Sequence, residues 1–217
     1  MIIMKLPSTM VIILLYMIGG GCSKMIQDLM NCHVNDALDH MNKSEHCTHS
    51  IIIYPDLDTF MELYSSYVHK QIKENNEIVL INPFYETADS VRQILSEKYD
   101  GGMDDICKFE KEESLMIAGS LEEYLGDQPL IYVKESLENY AKMGKNGVSV
   151  LADLGAYPHR SKYKDLVDYE LSLPTKYDVQ MKGFWLYHQK DFDKFSDEQK
   201  QKLIERHGRA LKIIETQ

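Results

Sequence analysis

The stretch His49–Glu86, HSIIIYPDLDTFMELYSSYVHKQIKENNEIVLINPFYE, decides the fold of this chain. It opens with the β-branched and aromatic run Ile51–Tyr54, which suits a buried strand and stops at Pro55. From Leu57 to Ile72, apolar residues recur every three or four positions, as they do on one face of a helix. A second apolar run, Ile78–Ile81, follows. Strand, helix and strand in this order predict the crossover unit of a parallel sheet.

The same alternation continues along the rest of the chain. Further strands are predicted at Val148–Ala152 and Lys182–Tyr187, and a hairpin is predicted from strands near Ile106–Phe109 and Leu115–Ala118. Helical patterning covers residues 87–99, 119–143, 159–173 and 196–214. We therefore expect one α/β domain with a mostly parallel central sheet and helices on both faces, of the Rossmann-like or RecA-like type, plus an N-terminal helical extension.

The N-terminal part divides into two segments before the main domain, which we place at residues 46–217. Residues 1–24 form an apolar extension in which Lys5 precedes the nine-residue apolar run Met10–Ile18. This run is shorter than the roughly 20 residues that a spanning helix needs. Three interpretations stay open: a signal or membrane anchor within residues 1–22, a start site that is really Met25, or a buried apolar segment. Residues 25–45 read as an amphipathic helix.

Composition excludes one large class of function. The chain has 34 acidic and 24 basic residues and a formal net charge of −10. Proteins that bind nucleic acid through phosphates need a basic surface, so we expect no nucleic-acid partner. The four cysteines are too scattered for a disulfide framework, which favours a cytoplasmic protein with reduced thiols unless the N-terminal segment exports or anchors it.

The motifs of nucleotide and acyl chemistry are missing from the sequence. Where a phosphate loop would follow the first predicted strand, the chain has Pro55-Asp-Leu-Asp58, without a glycine or a lysine. Asp56 and Asp58 would repel a phosphate. No dinucleotide-binding GxGxxG pattern and no GxSxG nucleophile elbow is present. We therefore expect no ATP hydrolysis, no cofactor and no catalytic nucleophile.

Candidate binding residues lie where the predicted strands end. In an open parallel sheet, ligands bind beyond the carboxyl ends of the strands. Aromatic, amide, acidic and imidazole groups stand at those ends, namely Tyr54, Asn82, Tyr85, Asp153 and His188. Such a mixture suits a small-molecule pocket.

Two titratable residues fall on apolar helix faces. Glu170 follows Leu166 and Val167 at helical spacing, and His207 shares a face with Leu203. Because a buried carboxylate must be paired, these residues either make an internal contact between two helices or form a polar spot that senses a ligand. An alternative hypothesis is an enzyme that uses Asp153, Glu170 and His188 as acid–base groups on a small substrate.

One patch of the sequence is rich in histidine and cysteine, the residue types that most often bind zinc. Zinc prefers imidazole and thiolate ligands, but the spacing in this patch matches no standard zinc motif, and we expect no metal there. The patch consists of Cys32, His33, His40, His46, Cys47 and His49.

Several short motifs resemble those of the MEDS domain, the methanogen/methylotroph sensory domain. They are His49-x4-Tyr54, the step Lys73-Glu-Asn-Asn-Glu77 into the second strand, Tyr169-Glu170, the strand Trp185-Leu-Tyr187, and His207 in the last predicted helix. Trp185 stands where the family usually has a cysteine. The resemblance covers roughly residues 46–214.

The resemblance implies a RecA-like sheet without a working phosphate loop, and a sensory role. It adds His49, Trp185 and His207 to the candidate ligand-binding residues. We therefore expect a non-enzymatic sensory or signal-transduction domain. It would bind a small, partly apolar organic ligand and act on a downstream signalling protein.

Overall fold

The computed structural model describes residues 29–118 and 144–215. Within them, seven strands form one sheet in which every neighbouring pair is parallel, in the order β1-β7-β2-β6-β5-β3-β4. The strands are β1 (Met30–Cys32), β2 (Thr48–Tyr54), β3 (Ile78–Asn82), β4 (Leu115–Ile117), β5 (Val148–Asp153), β6 (Met181–His188) and β7 (Arg209–Ile213). The expected α/β class with a parallel central sheet is confirmed.

Helices connect these strands and pack on both faces of the sheet. Among the described residues they are α1 (Val34–Lys43), α2 (Leu57–Lys73), α3 (Ala88–Ser96), α4 (Gly102–Lys111), α5 (Ala156–His159), α6 (Tyr163–Ser172), α7 (Gln189–Phe192) and α8 (Asp197–Arg206). Parallel strands need such crossovers because a short turn cannot return the chain to the same end of the sheet.

The two faces of the sheet carry separate cores. On one face, Ile52 and Tyr54 of β2 pack among the side chains of α1 to α4. On the other face, Ile51 and Ile53 pack with α6 and α8. All four side chains are fully buried, and each contributes about 1.5–3 kcal/mol relative to an exposed position. β2 is therefore apolar on both sides, which explains its unbroken isoleucine run.

The strand–helix–strand unit forms as predicted, but its two strands are not neighbours. β6 and β5 lie between β2 and β3. Strands β5 and β6 are buried along their whole length, as expected for the centre of a parallel sheet.

The predicted hairpin is wrong. Ile106 and Phe109 lie on α4, where their spacing of three residues puts both on the buried face of a helix. Leu115–Ile117 forms β4, which pairs parallel with β3 at the edge of the sheet. The charged residues between them end a helix instead of turning a hairpin.

The final helix is shorter than predicted. α8 ends at Arg206, and β7 begins three residues later. Leu211, which lies within the helix predicted at 196–214, instead pairs with Ile52 of β2 and with Met30 of β1. The intervening Gly208 donates its N–H to the carbonyl of His49 at 3.1 Å, and this contact directs the chain into the sheet.

Two other predicted helices also differ. The segment expected to be one helix over residues 25–45 contains the edge strand β1 before α1, because Met30–Cys32 pairs with β7. The helix predicted at 159–173 begins only at Tyr163, as α6; His159 ends the preceding short helix α5, and Ser161 between them has a φ of 57°. The extension at residues 1–24 and the helix predicted at 119–143 lie outside the described residues.

Candidate functional site

A buried tyrosine–aspartate pair lies at the carboxyl edge of the sheet. Tyr54 ends β2, Asp153 ends β5, and neither is exposed to solvent. The Tyr54 hydroxyl donates to Asp153 Oδ2 at 2.9 Å, and the Gly155 N–H donates to Oδ1 at 3.0 Å. Burial raises the pKa of Asp153 to about 7, although these hydrogen bonds act in the opposite direction. A carboxyl group that titrates near neutrality marks a candidate functional position.

Aromatic side chains surround this pair. The imidazole of His188 lies 5.2 Å from the Tyr54 ring and 5.5 Å from the Tyr85 ring, measured between ring centroids. Tyr85 is 38% exposed, and its hydroxyl donates to Asp191. Burial lowers the pKa of His188, which favours a neutral ring. We call Tyr54, Tyr85, Asp153, His188 and Asp191 the strand-end site.

The fifth sequence-predicted residue of this edge is Asn82. It ends β3, is half-buried and pairs in register with Ala152 of β5. Its backbone is therefore next to the strand-end site. The structure thus brings Tyr54, Tyr85 and His188 into ring contact and places Asp153 in hydrogen-bond contact with Tyr54.

The position where a phosphate would bind is taken by the chain itself. The Asp56 carboxylate accepts a hydrogen bond from the N–H of Thr59 at 2.8 Å and caps the N-terminus of α2. In a phosphate loop, N–H groups at this position point to the ligand. Asp58 adds a further negative charge in the first turn of α2. This helix end is unsuited to a nucleotide phosphate.

A second group of candidate residues meets on the opposite face of the sheet. His49 comes from β2, Glu170 from α6 and His207 directly follows α8. Each is at most 1% exposed. The two imidazole centroids are 4.5 Å apart, and His207 Nε2 lies 3.2 Å from Glu170 Oε2. We call these three residues the imidazole–carboxylate cluster.

Most polar atoms of this cluster lack a hydrogen-bond partner among the described residues. These atoms are both ring nitrogens of His49, both carboxylate oxygens of Glu170 and Nε2 of His207. The 3.2 Å approach between His207 Nε2 and Glu170 Oε2 is an ion-pair distance, and this contact opposes the rise that burial causes in the pKa of Glu170. Burial lowers the pKa of His49 to about 3 and raises the pKa of Glu170, because both charged forms lose water.

The surroundings of the cluster are aromatic. The ring of His49 lies 5.3 Å from Tyr177 and 6.4 Å from Trp185. The Tyr177 hydroxyl and the Trp185 indole N–H are also buried without a partner among the described residues. Gly183 makes room for His49 and Trp185, since a Cβ atom there would lie 3.1 Å from the Cβ of His49 and 3.4 Å from the Trp185 ring.

The two groups of candidate residues do not form one pocket. Asp153 and His188 lie at the carboxyl edge with Tyr54, on the face covered by α2. Glu170 packs on the other face with His207. The acid–base trio Asp153, Glu170 and His188 therefore does not converge, which contradicts the geometry that the enzyme hypothesis required.

A third buried polar group, which was not predicted from the sequence, is centred on Glu77. Lys182 donates to Glu77 Oε1 at 2.6 Å, and Ser149 donates to Glu77 Oε2 at 2.7 Å. Ser149 also shares a 2.8 Å hydrogen bond with the Tyr67 hydroxyl. His46 Nε2 is 3.1 Å from Glu77 Oε1. We call this set the Glu77–Lys182 network. A lysine within an otherwise apolar strand was the available signal, because such a residue needs a buried partner.

The histidine- and cysteine-rich patch is dispersed in the structure. His33 is exposed at the start of α1, His40 Nε2 lies 3.3 Å from the Ser50 hydroxyl, and His46 contacts Glu77. His49 alone of this patch enters a group of potential metal ligands within the described residues, and its companions there are Glu170 and His207.

A groove of about 520 Å³ lies at the amino ends of β2 and β7, at the other end of the sheet from the strand-end site. Its lining is mostly polar and comes from α1 and the first residues of these strands. The lining residues are Asp36, Asp39, His40, Lys43, Ser44, Glu45, Thr48, His49, Ser50, Gly208 and Arg209.

Comparison with known proteins gives no relative from which to transfer a function. No protein-family model matches the chain, and a search of curated proteins gives no significant match. Among residues 29–118 and 144–215, none of the helices combines the length and apolar character that crossing a bilayer requires. The site must therefore be interpreted from its own geometry.

Proposed function

We propose that this chain is a non-enzymatic sensory domain that binds a small, partly apolar organic ligand at the strand-end site. The observation that carries the proposal is the fully buried Asp153 carboxyl group beneath the aromatic rings of Tyr54, Tyr85 and His188. A ligand with an apolar body would pack on the rings, and one polar group would bond to the carboxyl group. The self-capped N-terminus of α2 argues against a nucleotide as that ligand.

Tyr85 would link ligand binding to a change in the position of α7. Its ring is partly exposed, and its hydroxyl bonds to Asp191, which also accepts from Lys194 at 3.0 Å. Displacement of Tyr85 by the ligand would break the Tyr85–Asp191 contact and release α7. A downstream signalling protein that reads this change is the expected partner, in keeping with the resemblance to the MEDS domain.

A thermal-shift screen tests the proposal. Small alcohols, amines and carboxylic acids would be compared with ATP and Mg²⁺ on the full chain. We expect organic compounds to raise the melting temperature and to lose this effect in Asp153→Asn. The matched control Asp168→Asn, an exposed aspartate on α6, should respond like the parent protein. Stabilisation by ATP and Mg²⁺ followed by hydrolysis would overturn the proposal, as would equal responses of the two variants.

A further inference from the structure

We propose that His49, Glu170 and His207 form a binding site for a divalent transition-metal ion of the zinc class. Two imidazole nitrogens and one carboxylate oxygen are the donor set of many three-ligand zinc sites. The three donor atoms come from separate elements and lie within 4.8 Å of one another. This site is separate from the strand-end site and does not depend on it.

The distances are close to those that a bound ion requires. Zinc–ligand bonds of about 2.0–2.2 Å in a tetrahedron place neighbouring donor atoms roughly 3.3 Å apart. His207 Nε2 and Glu170 Oε2 are already 3.2 Å apart. His49 is the donor that must approach, and its ring has no hydrogen bond among the described residues to hold it back.

The tautomer of His207 also favours a metal ion. Its Nδ1 lies 2.7 Å from the carbonyl oxygen of Leu203, which can only accept, so Nδ1 carries a proton. In a neutral ring, the lone pair of Nε2 then faces the cluster and the Glu170 oxygen. A histidine ligand held by a backbone carbonyl through its other nitrogen is the usual arrangement in metal sites.

A simple Glu170–His207 ion pair accounts for fewer of the buried atoms. An imidazolium at His207 would compensate the carboxylate, but both ring nitrogens of His49 would stay without partners. A metal ion satisfies one donor atom on each of the three residues at once. The neighbouring cation Arg206 donates from one guanidinium nitrogen to the carbonyl of Leu173, and its charge opposes ionisation of His49 and favours that of Glu170.

The remaining features suit a site with an open coordination position. Three protein ligands leave a fourth position for water or a small anion. The rings of Tyr177 and Trp185 lie beside His49, and their hydroxyl and N–H groups are buried without a partner among the described residues.

The test is a zinc titration of the tag-free full chain after removal of metal by a chelator. Competition with a chromogenic chelator should give one tightly bound ion per chain. His207→Gln and His49→Gln should each weaken binding by about 100-fold or more, since a ligand is lost outright. His159→Gln, which removes an exposed imidazole, should bind like the parent protein.

A measurement on the parent protein covers the case in which a variant fails to fold. Long-range nitrogen–proton NMR spectra should show the Nε2 signal of His207 shift on zinc addition while Nδ1 stays protonated. Replacement of zinc by Co²⁺ should give the strong visible absorption of a four-coordinate site. Unchanged His207 signals would overturn the proposal, as would binding that is lost in Cys32→Ser/Cys47→Ser and retained in His207→Gln.

Discussion

Two buried polar groups lie on opposite faces of the same sheet, and they differ in how completely they are paired. In the Glu77–Lys182 network, both carboxylate oxygens accept hydrogen bonds and the ammonium group has its counter-ion. In the imidazole–carboxylate cluster, the carboxylate oxygens and the ring nitrogens of His49 have none among the described residues. A network whose buried polar atoms are all hydrogen-bonded stabilises the packing of its elements. A cluster whose buried polar atoms lack hydrogen bonds is a candidate site for a bound ion or ligand.

Neighbouring residues of β6 serve these two groups. Lys182 points to the face covered by α2 and pairs with Glu77. Gly183 points to the other face and leaves the space that His49 and Trp185 occupy. Successive residues of a strand point to opposite faces of the sheet. Lys182 and Gly183 therefore contribute to the Glu77–Lys182 network on one face and to the imidazole–carboxylate cluster on the other.

Substitutions in the Glu77–Lys182 network should have the largest effect on the free energy of unfolding. Glu77→Gln and Lys182→Met should each lower the free energy of unfolding by about 3–5 kcal/mol, because each leaves a buried charge without its partner. The double variant should recover much of that loss. Guanidinium unfolding curves measure all three. The control Lys43→Met removes an exposed pair with Asp39 and should cost under about 1 kcal/mol. Additive losses in the double variant would contradict a paired network.

The strand-end carboxyl group adds a pH test of a buried acid that accepts hydrogen bonds from Tyr54 and Gly155. The pKa of Asp153 is about 7 in the folded protein against 3.8 for an ordinary aspartate. The folded state therefore holds the proton more tightly. The free energy of unfolding should fall as pH rises from about 4 to 7, by on the order of 3 kcal/mol from this group, and then level off.

Asp153→Asn should remove that part of the pH dependence. Urea unfolding at a series of pH values would compare the variant with the parent protein. Parallel curves for the two proteins would show that Asp153 stays ionised in the folded state throughout this range.

A larger side chain beside the imidazole–carboxylate cluster should lower the free energy of unfolding by a moderate amount. Gly183→Ala adds a methyl group 3.1 Å from the Cβ of His49 and should cost about 1–2 kcal/mol. In a Trp185→Phe background, where the ring is smaller, the same change should cost less. Thermal unfolding of the four proteins forms a double-mutant cycle. An equal cost in both backgrounds would mean that the two side chains do not share this space.

The smallest effect on the free energy of unfolding is expected from Glu170→Gln in the imidazole–carboxylate cluster. Glu170→Gln in metal-free protein should alter the free energy of unfolding by less than about 1 kcal/mol, since the carboxylate has no hydrogen bond among the described residues to lose. The identical substitution at Glu77 provides the comparison. A loss at Glu170 as large as that at Glu77 would show that Glu170 and His207 already form a closed ion pair.

Several candidate residues were predictable from local patterns, whereas His49 and Trp185 came only from the resemblance to the MEDS domain. Glu170 stood out because a carboxylate fell on an apolar helix face, and Asp153 because it ended an apolar strand. Lys182 was missed as a polar centre because a lysine at a strand start usually reaches solvent. Leu211 was misassigned because β7 follows Gly208 with apolar residues that also fit helical spacing.

The alternation of strands and helices, the apolar character of β2 on both sides and the absence of a phosphate loop follow from the sequence alone. They are local properties, because they depend on the spacing of apolar residues along the chain and on the identity of residues 55–58, which follow β2. Tertiary structure alone placed β6 and β5 between β2 and β3 and brought His49, Glu170 and His207 together. Those contacts join residues more than 30 positions apart, and their pairing depends on the packing of the whole sheet.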